Sequence, residues 1–151
     1  MLKVNVLVAG STGYIGIQLI KLLVKHKFIN IKYLCGNKSV GKKISTYEKS
    51  LSKIRLPKIV KYNKNFIKDI DVIFTALPNG EAQDISKNLT KDKVLIDLAA
   101  DFRLEKSSDY LKFYNRSHKA KNLIKKSLYT LPEINGKDIK NFQIISCPGC
   151  Y

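Results

Sequence analysis

Two stretches of this sequence carry residue types at spacings suited to chemistry. Near its start, Val4-Asn5-Val6-Leu7-Val8-Ala9 runs into Gly10-Ser11-Thr12-Gly13-Tyr14-Ile15-Gly16. At its end, Phe142-Gln143-Ile144-Ile145 delivers Ser146-Cys147-Pro148-Gly149-Cys150-Tyr151. A glycine-rich turn between a strand and a helix suits a dinucleotide phosphate. Gly10 permits the sharp exit from the strand, Gly13 lets backbone approach the pyrophosphate, and Gly16 lets the helix lie close to the sheet. The helix start adds free N–H groups and a positive dipole end. A thiol at a tight Pro-Gly turn beyond a strand is a candidate nucleophile, since open α/β sheets bind ligands at the carboxyl ends of their strands. Together the two stretches suggest a cysteine-dependent nicotinamide reductase.

Each stretch has competing readings. The glycine spacing is Gly-x-x-Gly-x-x-Gly, not the commoner Gly-x-Gly-x-x-Gly, and a glycine turn can be a plain strand-to-helix connection. The Cys147-x-x-Cys150 pair could belong to a zinc site, a thioredoxin-like redox pair or a single thiolate nucleophile. Zinc would need further ligands, and Cys35, His26 and His118 lack the spacing for it, so no metal is expected. A redox pair belongs at a helix start in a smaller fold without a nucleotide turn, although a reversible Cys147–Cys150 disulfide stays open. A buried apolar cysteine accounts well for Cys35 and fairly for Cys147.

The residues after the second strand report on the nicotinamide cofactor. An acidic residue about 20 positions past the glycine turn would hold the 2′-hydroxyl of NAD, whereas neutral or basic residues accommodate the 2′-phosphate of NADP. Gly36-Asn37-Lys38-Ser39 and Lys42-Lys43 contain no carboxylate. NADP(H) is therefore expected, with Lys38 and Ser39 as phosphate contacts or, for the lysine, as a merely solvated charge.

The elements that must position these residues alternate along the chain. Strands are expected at Val4–Ala9, Ile31–Cys35, weakly near Lys58–Tyr62, at Asp71–Ala76, Lys93–Leu98 and Asn141–Ser146. Helices are expected at Tyr14–Lys25, with Ile15, Leu19, Leu22 and Leu23 on one side, and at Glu81–Leu89 after the break at Leu77-Pro78-Asn79-Gly80. Short helices and loops should fill Leu104 to Lys126. This pattern gives an α/β fold, a Rossmann-type doubly wound, mostly parallel sheet in one domain. In it Pro78, Asn79 and Gly80 face the nicotinamide side of the crevice, or simply end a strand.

Composition bounds the partners. With 151 residues and 44% hydrophobic content the chain can bury one core. It lacks a membrane-spanning run and a signal-like start, and its odd three cysteines argue against a disulfide framework, so a cytoplasmic protein with reduced thiols is expected. The net charge of +16 comes from lysines scattered from Lys3 to Lys140, with Arg55, Arg103 and Arg116 as the only arginines. No basic arm or aromatic-interleaved stripe is present, so nucleic acid is not an expected partner, while steering of anionic ligands is.

Several ordered motifs resemble one family, the N-acetyl-gamma-glutamyl-phosphate reductases, over essentially the whole chain. Besides the glycine turn they are Asn37-Lys38-Ser39-Val40-Gly41-Lys42, Ala76-Leu77-Pro78-Asn79-Gly80, Ile96-Asp97-Leu98-Ala99-Ala100-Asp101-Phe102-Arg103-Leu104, Tyr129-Thr130-Leu131-Pro132-Glu133 and Pro148-Gly149-Cys150-Tyr151. The sequence departs from the family pattern at Asn79, Ala99 and Cys147, where His, Ser and Asn are common. The resemblance implies an NADP-dependent enzyme of arginine biosynthesis that reduces N-acetyl-glutamyl 5-phosphate to its semialdehyde with release of phosphate. It makes Cys150 the nucleophile that forms a thioester. It places the cofactor on Gly10 to Gly16, Lys38, Ser39, Leu77 and Pro78, and the acyl-phosphate substrate near Asn79, Gly80 and Arg103. Arg103 has two readings, a fork for a substrate anion or a structural partner of Asp97 or Asp101.

Family members carry a second, substrate-binding domain with a catalytic His, which neither His26 nor His118 matches. Residues 1–151 are thus expected to form a truncated NADP-binding domain, inactive alone, of an enzyme that is a homo-oligomer at full length. A sister semialdehyde dehydrogenase acting on aminoadipyl or aspartyl phosphate and a non-catalytic dinucleotide-binding module are the alternatives.

Overall fold

The structure, a computed structural model, describes residues 3–149 and divides into two compact units, Met1–Ala76 and Leu77–Tyr151. In the first, β1 (Val4–Ala9), β2 (Ile29–Cys35), β3 (Ile59–Val60) and β4 (Val72–Thr75) lie in the order β3-β2-β1-β4, all parallel. Consecutive buried residues mark β1 as a strand covered on both faces: Val6, Leu7, Val8 and Ala9 are each at most 2% exposed. One helix, α1 (Tyr14–Leu23), crosses from β1 to β2. Its Ile20 and Leu23 pack with Val6, Val8, Ile31, Leu34, Ile44, Leu51 and Ile59 into the core of this unit.

In the second unit, β5 (Val94–Asp97), β6 (Ser127–Tyr129) and β7 (Ile144–Ser146) lie in the order β5-β7-β6, again parallel. Three helices accompany them, α2 (Glu81–Ser86), α3 (Ser107–Tyr114) and the single turn α4 (Pro132–Asn135). Leu95, Phe102, Tyr110, Ile124, Ile144 and Ile145 are buried there. Parallel strands alternating with helices make this the expected α/β, Rossmann-type doubly wound fold.

Several boundaries differ from expectation. Helix α1 stops at Leu23 because Lys25 and His26 bond back only three residues, to Leu22 and Leu23, tightening the last turn. Its inner stripe is Gly16, Ile20 and Leu23, spaced by four and three. Ile15 and Leu22 lie outside that stripe and are 51% and 68% exposed. Strand β2 begins at Ile29, two residues early. Strand β7 begins at Ile144, because residues 139–141 form a 3-10 turn closed by Phe142 N–H on Ile139. Helix α2 ends at Ser86. Strand β6 and helix α4 were not expected, being too short to show a period.

Candidate functional site

In the first unit the site is built from the exit of β1. Gly10 adopts φ +83°, left-handed backbone that favours glycine. Its amide and that of Ser11 both donate to the Cys35 carbonyl at the end of β2, at 3.1 and 3.0 Å. The Ser11 hydroxyl donates to the same carbonyl at 3.0 Å and is buried, so this side chain ties the turn to β2. At Gly16 a Cβ would collide with the Gly10 carbonyl oxygen, which is the close helix-to-turn approach expected of this glycine. Gly13 differs: a Cβ there would meet Gly10 O at 3.5 Å, an ordinary contact, and the residue is exposed. Packing therefore does not demand a glycine at Gly13, whereas a ligand approaching from solvent would.

Helix α1 starts at this point without a side-chain cap and without an acidic residue in its first turn. The amides of a first turn have no intrahelical acceptor, and with the dipole they make an open anion site. Tyr14 is 82% exposed beside it and Thr12 is half-buried.

Ser39 lies under the same turn. Its side chain is buried, yet its Oγ has no hydrogen-bond partner among the described residues. A Cβ on Gly36 would come within 2.5 Å of that oxygen and within 3.8 Å of Thr12 Oγ1, so Gly36 is small where Ser39 and the turn converge. The structure thus brings Ser39 to the glycine turn, while Lys38 stands exposed. An orphaned buried hydroxyl and uncapped helix amides fit the phosphates of a dinucleotide. Cys35 is the buried apolar cysteine anticipated, and loss of hydration pushes its thiol up to about 12.

In the second unit two buried carboxylates organise the loops that follow strands. The Asp101 carboxylate is 1% exposed as a residue and accepts from Gly80 N–H at 2.6 Å, Tyr110 O–H at 2.7 Å, Gln83 Nε2 at 3.0 Å and Ala82 N–H at 3.1 Å. It thereby caps α2 from outside the helix. Gly80, the N-cap, needs its φ of +96° to aim the amide. Arg116 donates to the Asn79 carbonyl at 2.9 Å. Leu77 is half-buried and Pro78 is exposed. Asp97, at the end of β5, accepts from the amides of Ala99 and Asp101.

His118 closes this network. Its Nδ1 accepts from Ala120 N–H at 3.1 Å, so Nε2 carries the proton and donates to the Asp101 carbonyl at 2.8 Å. Burial lowers its pKa, with the Asp101 carbonyl and charge acting in the opposite sense. Tyr110 is pushed up by burial and by its bond to Asp101. Sequence reasoning missed Gln83, Tyr110, Arg116 and His118; the available signal was two aspartates, Asp97 and Asp101, in an otherwise apolar stretch.

Of the two structural partners expected for Arg103, Asp97 or Asp101, the Asp101 carboxylate is taken by the four donors above. Arg103 Nε instead donates to the Cys147 carbonyl at 2.9 Å, and its Nη1 lies 2.7 Å from where a Cβ on Gly149 would stand. Cys147 N–H donates to the Asp97 carbonyl at 2.8 Å. The Arg103 side chain and the Asp97 backbone therefore hold Cys147 at its carbonyl and its amide. Burial raises the pKa of the half-buried Cys147 thiol, Asp97 adds to the rise and Arg103 opposes it. Cys150, the expected nucleophile, lies outside the described residues. Among the described residues no three His, Cys, Asp or Glu side chains gather to hold a metal, and no helix is long and apolar enough to cross a membrane.

Comparison with known proteins adds to this geometry. A family model described as the semialdehyde dehydrogenase NAD-binding domain matches residues 5–142. A relative from Brachyspira hyodysenteriae named N-acetyl-gamma-glutamyl-phosphate reductase is 41% identical over all of this chain and 44% of its own length. One of the same name from Clostridium beijerinckii is 39% identical over all of this chain and 43% of its own. The chain thus spans less than half the length of these curated relatives. A solved aspartate semialdehyde dehydrogenase from Candida albicans, described with NADP, shares the fold with a TM-score of 0.63 at 21% identity, over 98% of this chain and 43% of that one.

Proposed function

Because the chain belongs to the family of semialdehyde dehydrogenase NAD-binding domains, we propose that it is the NADP-binding portion, as one Rossmann-like domain over residues 1–151, of an N-acetyl-gamma-glutamyl-phosphate reductase. Of the semialdehyde dehydrogenase branches, this one is favoured by the names of the curated relatives, at 39% and 41% identity. The structural observation that carries the cofactor reading is the buried Ser39 hydroxyl, without a partner among the described residues, beside an uncapped helix start.

In this reading the turn of Gly10, Ser11, Thr12, Gly13, Tyr14, Ile15 and Gly16 cradles the pyrophosphate: the amides of Gly10, Ser11 and Gly13, engaged by the Cys35 and Gly10 carbonyls, hold the shape of the turn, and the open first-turn amides of α1 meet the anion. Ser39 donates to the 2′-phosphate and Lys38 faces it, and Leu77 and Pro78 border the nicotinamide side. The Cys150 thiolate attacks the acyl carbon of N-acetyl-glutamyl 5-phosphate, phosphate leaves with the electron pair of the broken C–O bond, and a thioester remains. NADPH would supply the hydride that converts this thioester into the semialdehyde, the C–S bond breaking to return the Cys150 thiolate. Arg103, with Asn79 and Gly80 nearby in sequence motifs of the substrate side, acts through its grip on the Cys147 carbonyl and offers its remaining guanidinium edge to an anion. The remaining substrate-binding and acid–base groups belong to a further domain, the enzyme is cytoplasmic and the complete enzyme is a homo-oligomer.

The test is a fluorescence titration of the chain with NADPH and with NADH. NADPH should bind at least tenfold more tightly, and Ser39→Ala should remove most of that preference while leaving NADH affinity unchanged. Equal affinity for both cofactors would overturn the assignment of Ser39.

A further inference from the structure

At the amino ends of β5, β6 and β7, the end away from Asp97 and Cys147, the second unit carries a pocket of ≈ 470 Å³ that the proposed reaction does not use. Five lysines line it from three separate segments. Lys91 and Lys93 come from the turn before β5, Lys125 and Lys126 from the 3-10 turn before β6, and Lys140 from the 3-10 turn before β7. The carboxylate among its lining residues, Asp92, is already engaged by Lys93 at 2.7 Å. The whole chain has 28 basic and 12 acidic residues, so five lysines to one aspartate is a local concentration of charge beyond the general composition.

These segments lead into strands paired in the order β5-β7-β6, and Gln143 ties them together just ahead of that pairing. Gln143 N–H donates to the Lys126 carbonyl, the Gln143 carbonyl accepts from Leu95 N–H, and its side-chain amide donates to the Thr90 carbonyl. Every lysine-bearing segment before β5 and β6 is therefore tied to the start of β7. Holding like charges on one concavity is unfavourable unless an anion screens them. The volume is that of a small-ligand site. An extended nucleic acid would call for a basic stripe, not a hollow of this size.

We propose that this pocket binds a small polyanion with two or more phosphate groups, an inorganic or nucleoside polyphosphate. Ammonium groups suit such a ligand because they meet it as point charges from several directions. This assignment is independent of the reductase reading.

Isothermal titration of the chain with inorganic tripolyphosphate, and separately with ATP, each in excess NADPH, tests it. The expected result is one site per chain, weakened at least tenfold by the triple variant Lys91→Gln, Lys126→Gln, Lys140→Gln. The charge-matched variant Lys25→Gln, Lys27→Gln, Lys61→Gln should change affinity less than twofold. Tighter binding of ATP assigns the ligand to nucleotides, and equal binding assigns it to the phosphate chain. In the unaltered protein, tripolyphosphate should also protect the Lys91, Lys126 and Lys140 amines from acetylation, read by mass spectrometry. Absence of saturable binding, equal loss in both variants, displacement by NADPH, unprotected pocket lysines, or tighter binding of a DNA oligonucleotide than of either anion would each overturn it.

Discussion

Helices α1 and α2 each begin at a glycine just beyond a strand, and they treat the positive end of the helix in opposite ways. At α1, Gly13 is the N-cap, no side chain caps it and no carboxylate lies in the first turn. At α2, Gly80 is the N-cap, Glu81 and Asp84 lie in the first turn, and buried Asp101 takes the amides of Gly80 and Ala82. Both starts call for an anion. The protein provides its own at α2 and leaves α1 open, where the proposed cofactor would supply it. Two hydroxyls repeat this contrast, although Ser146 Oγ in the second unit is also buried without a partner among the described residues. Tyr110 in the second unit donates to Asp101, whereas Ser39 beside the glycine turn has no partner among the described residues.

The largest effect should come from breaking the closed end. Asp101→Ala leaves two backbone amides, the Gln83 amide and the Tyr110 hydroxyl without their acceptor in a buried setting. Stability in urea should fall by about 3–5 kcal/mol, the range for removing one member of a buried charged network. A loss below about 1 kcal/mol would mean that α2 does not depend on this carboxylate and that the contrast with α1 is superficial.

The next effect separates packing from binding within the open end. Gly16→Ala places a methyl against the Gly10 carbonyl and within 3.1 Å of Ser11 Cα, all backbone atoms that cannot swing away. It should cost about 1–3 kcal/mol of stability, as overpacking does. Gly13→Ala makes only the 3.5 Å contact with Gly10 O and should cost less than about 1 kcal/mol, the scale of an N-cap change. Its NADPH affinity should nevertheless fall at least tenfold, because the methyl occupies the approach of the pyrophosphate. Paired denaturation and NADPH titration of the two variants check this; equal stability losses would show that the two glycines do not have separate duties.

What the sequence made legible follows the same division. The glycine turn, β1 and β4 declare themselves locally, through adjacent apolar residues and fixed glycine spacing, and the structure has them where expected. The open site was readable because its parts lie within one turn, apart from Ser39, whose position was expected but whose burial was not. The closed network was not readable. Asp101 collects donors 9 to 21 residues away, and His118 reaches back 17 residues, with no period to reveal it. The inner face of α1 was misjudged because hydrophobicity favoured Ile15 and Leu22, whereas Gly16, with no hydrophobic signal, sets which side meets the turn. Strand β6, three residues long, borrows its conformation from pairing with β7.

The smallest effect tests the closed network by pH. His118 is buried and neutral, with Nε2–H on the Asp101 carbonyl and Nδ1 accepting from Ala120. A second proton would fall on Nδ1, opposite an N–H donor and with Lys121 and Lys87 opposing the new charge, while Asp101 favours it. The folded pKa is thus below the unfolded value, near 6.5. As pH falls through that value the unfolded chain gains a proton that the folded chain does not, so stability is complete above about 6.5 and declines below it. The slope from this residue is at most about 1.4 kcal/mol per pH unit and ends once the folded imidazole is protonated. Asp84 and Asp92 are held below the usual carboxylate range by Lys119 and Lys93 and titrate beneath this window. Urea denaturation between pH 5 and 7 should therefore show a decline that His118→Gln flattens. A slope unchanged in that variant would place the pH sensitivity elsewhere and remove His118 from the set of groups that keep the Asp101 loop closed.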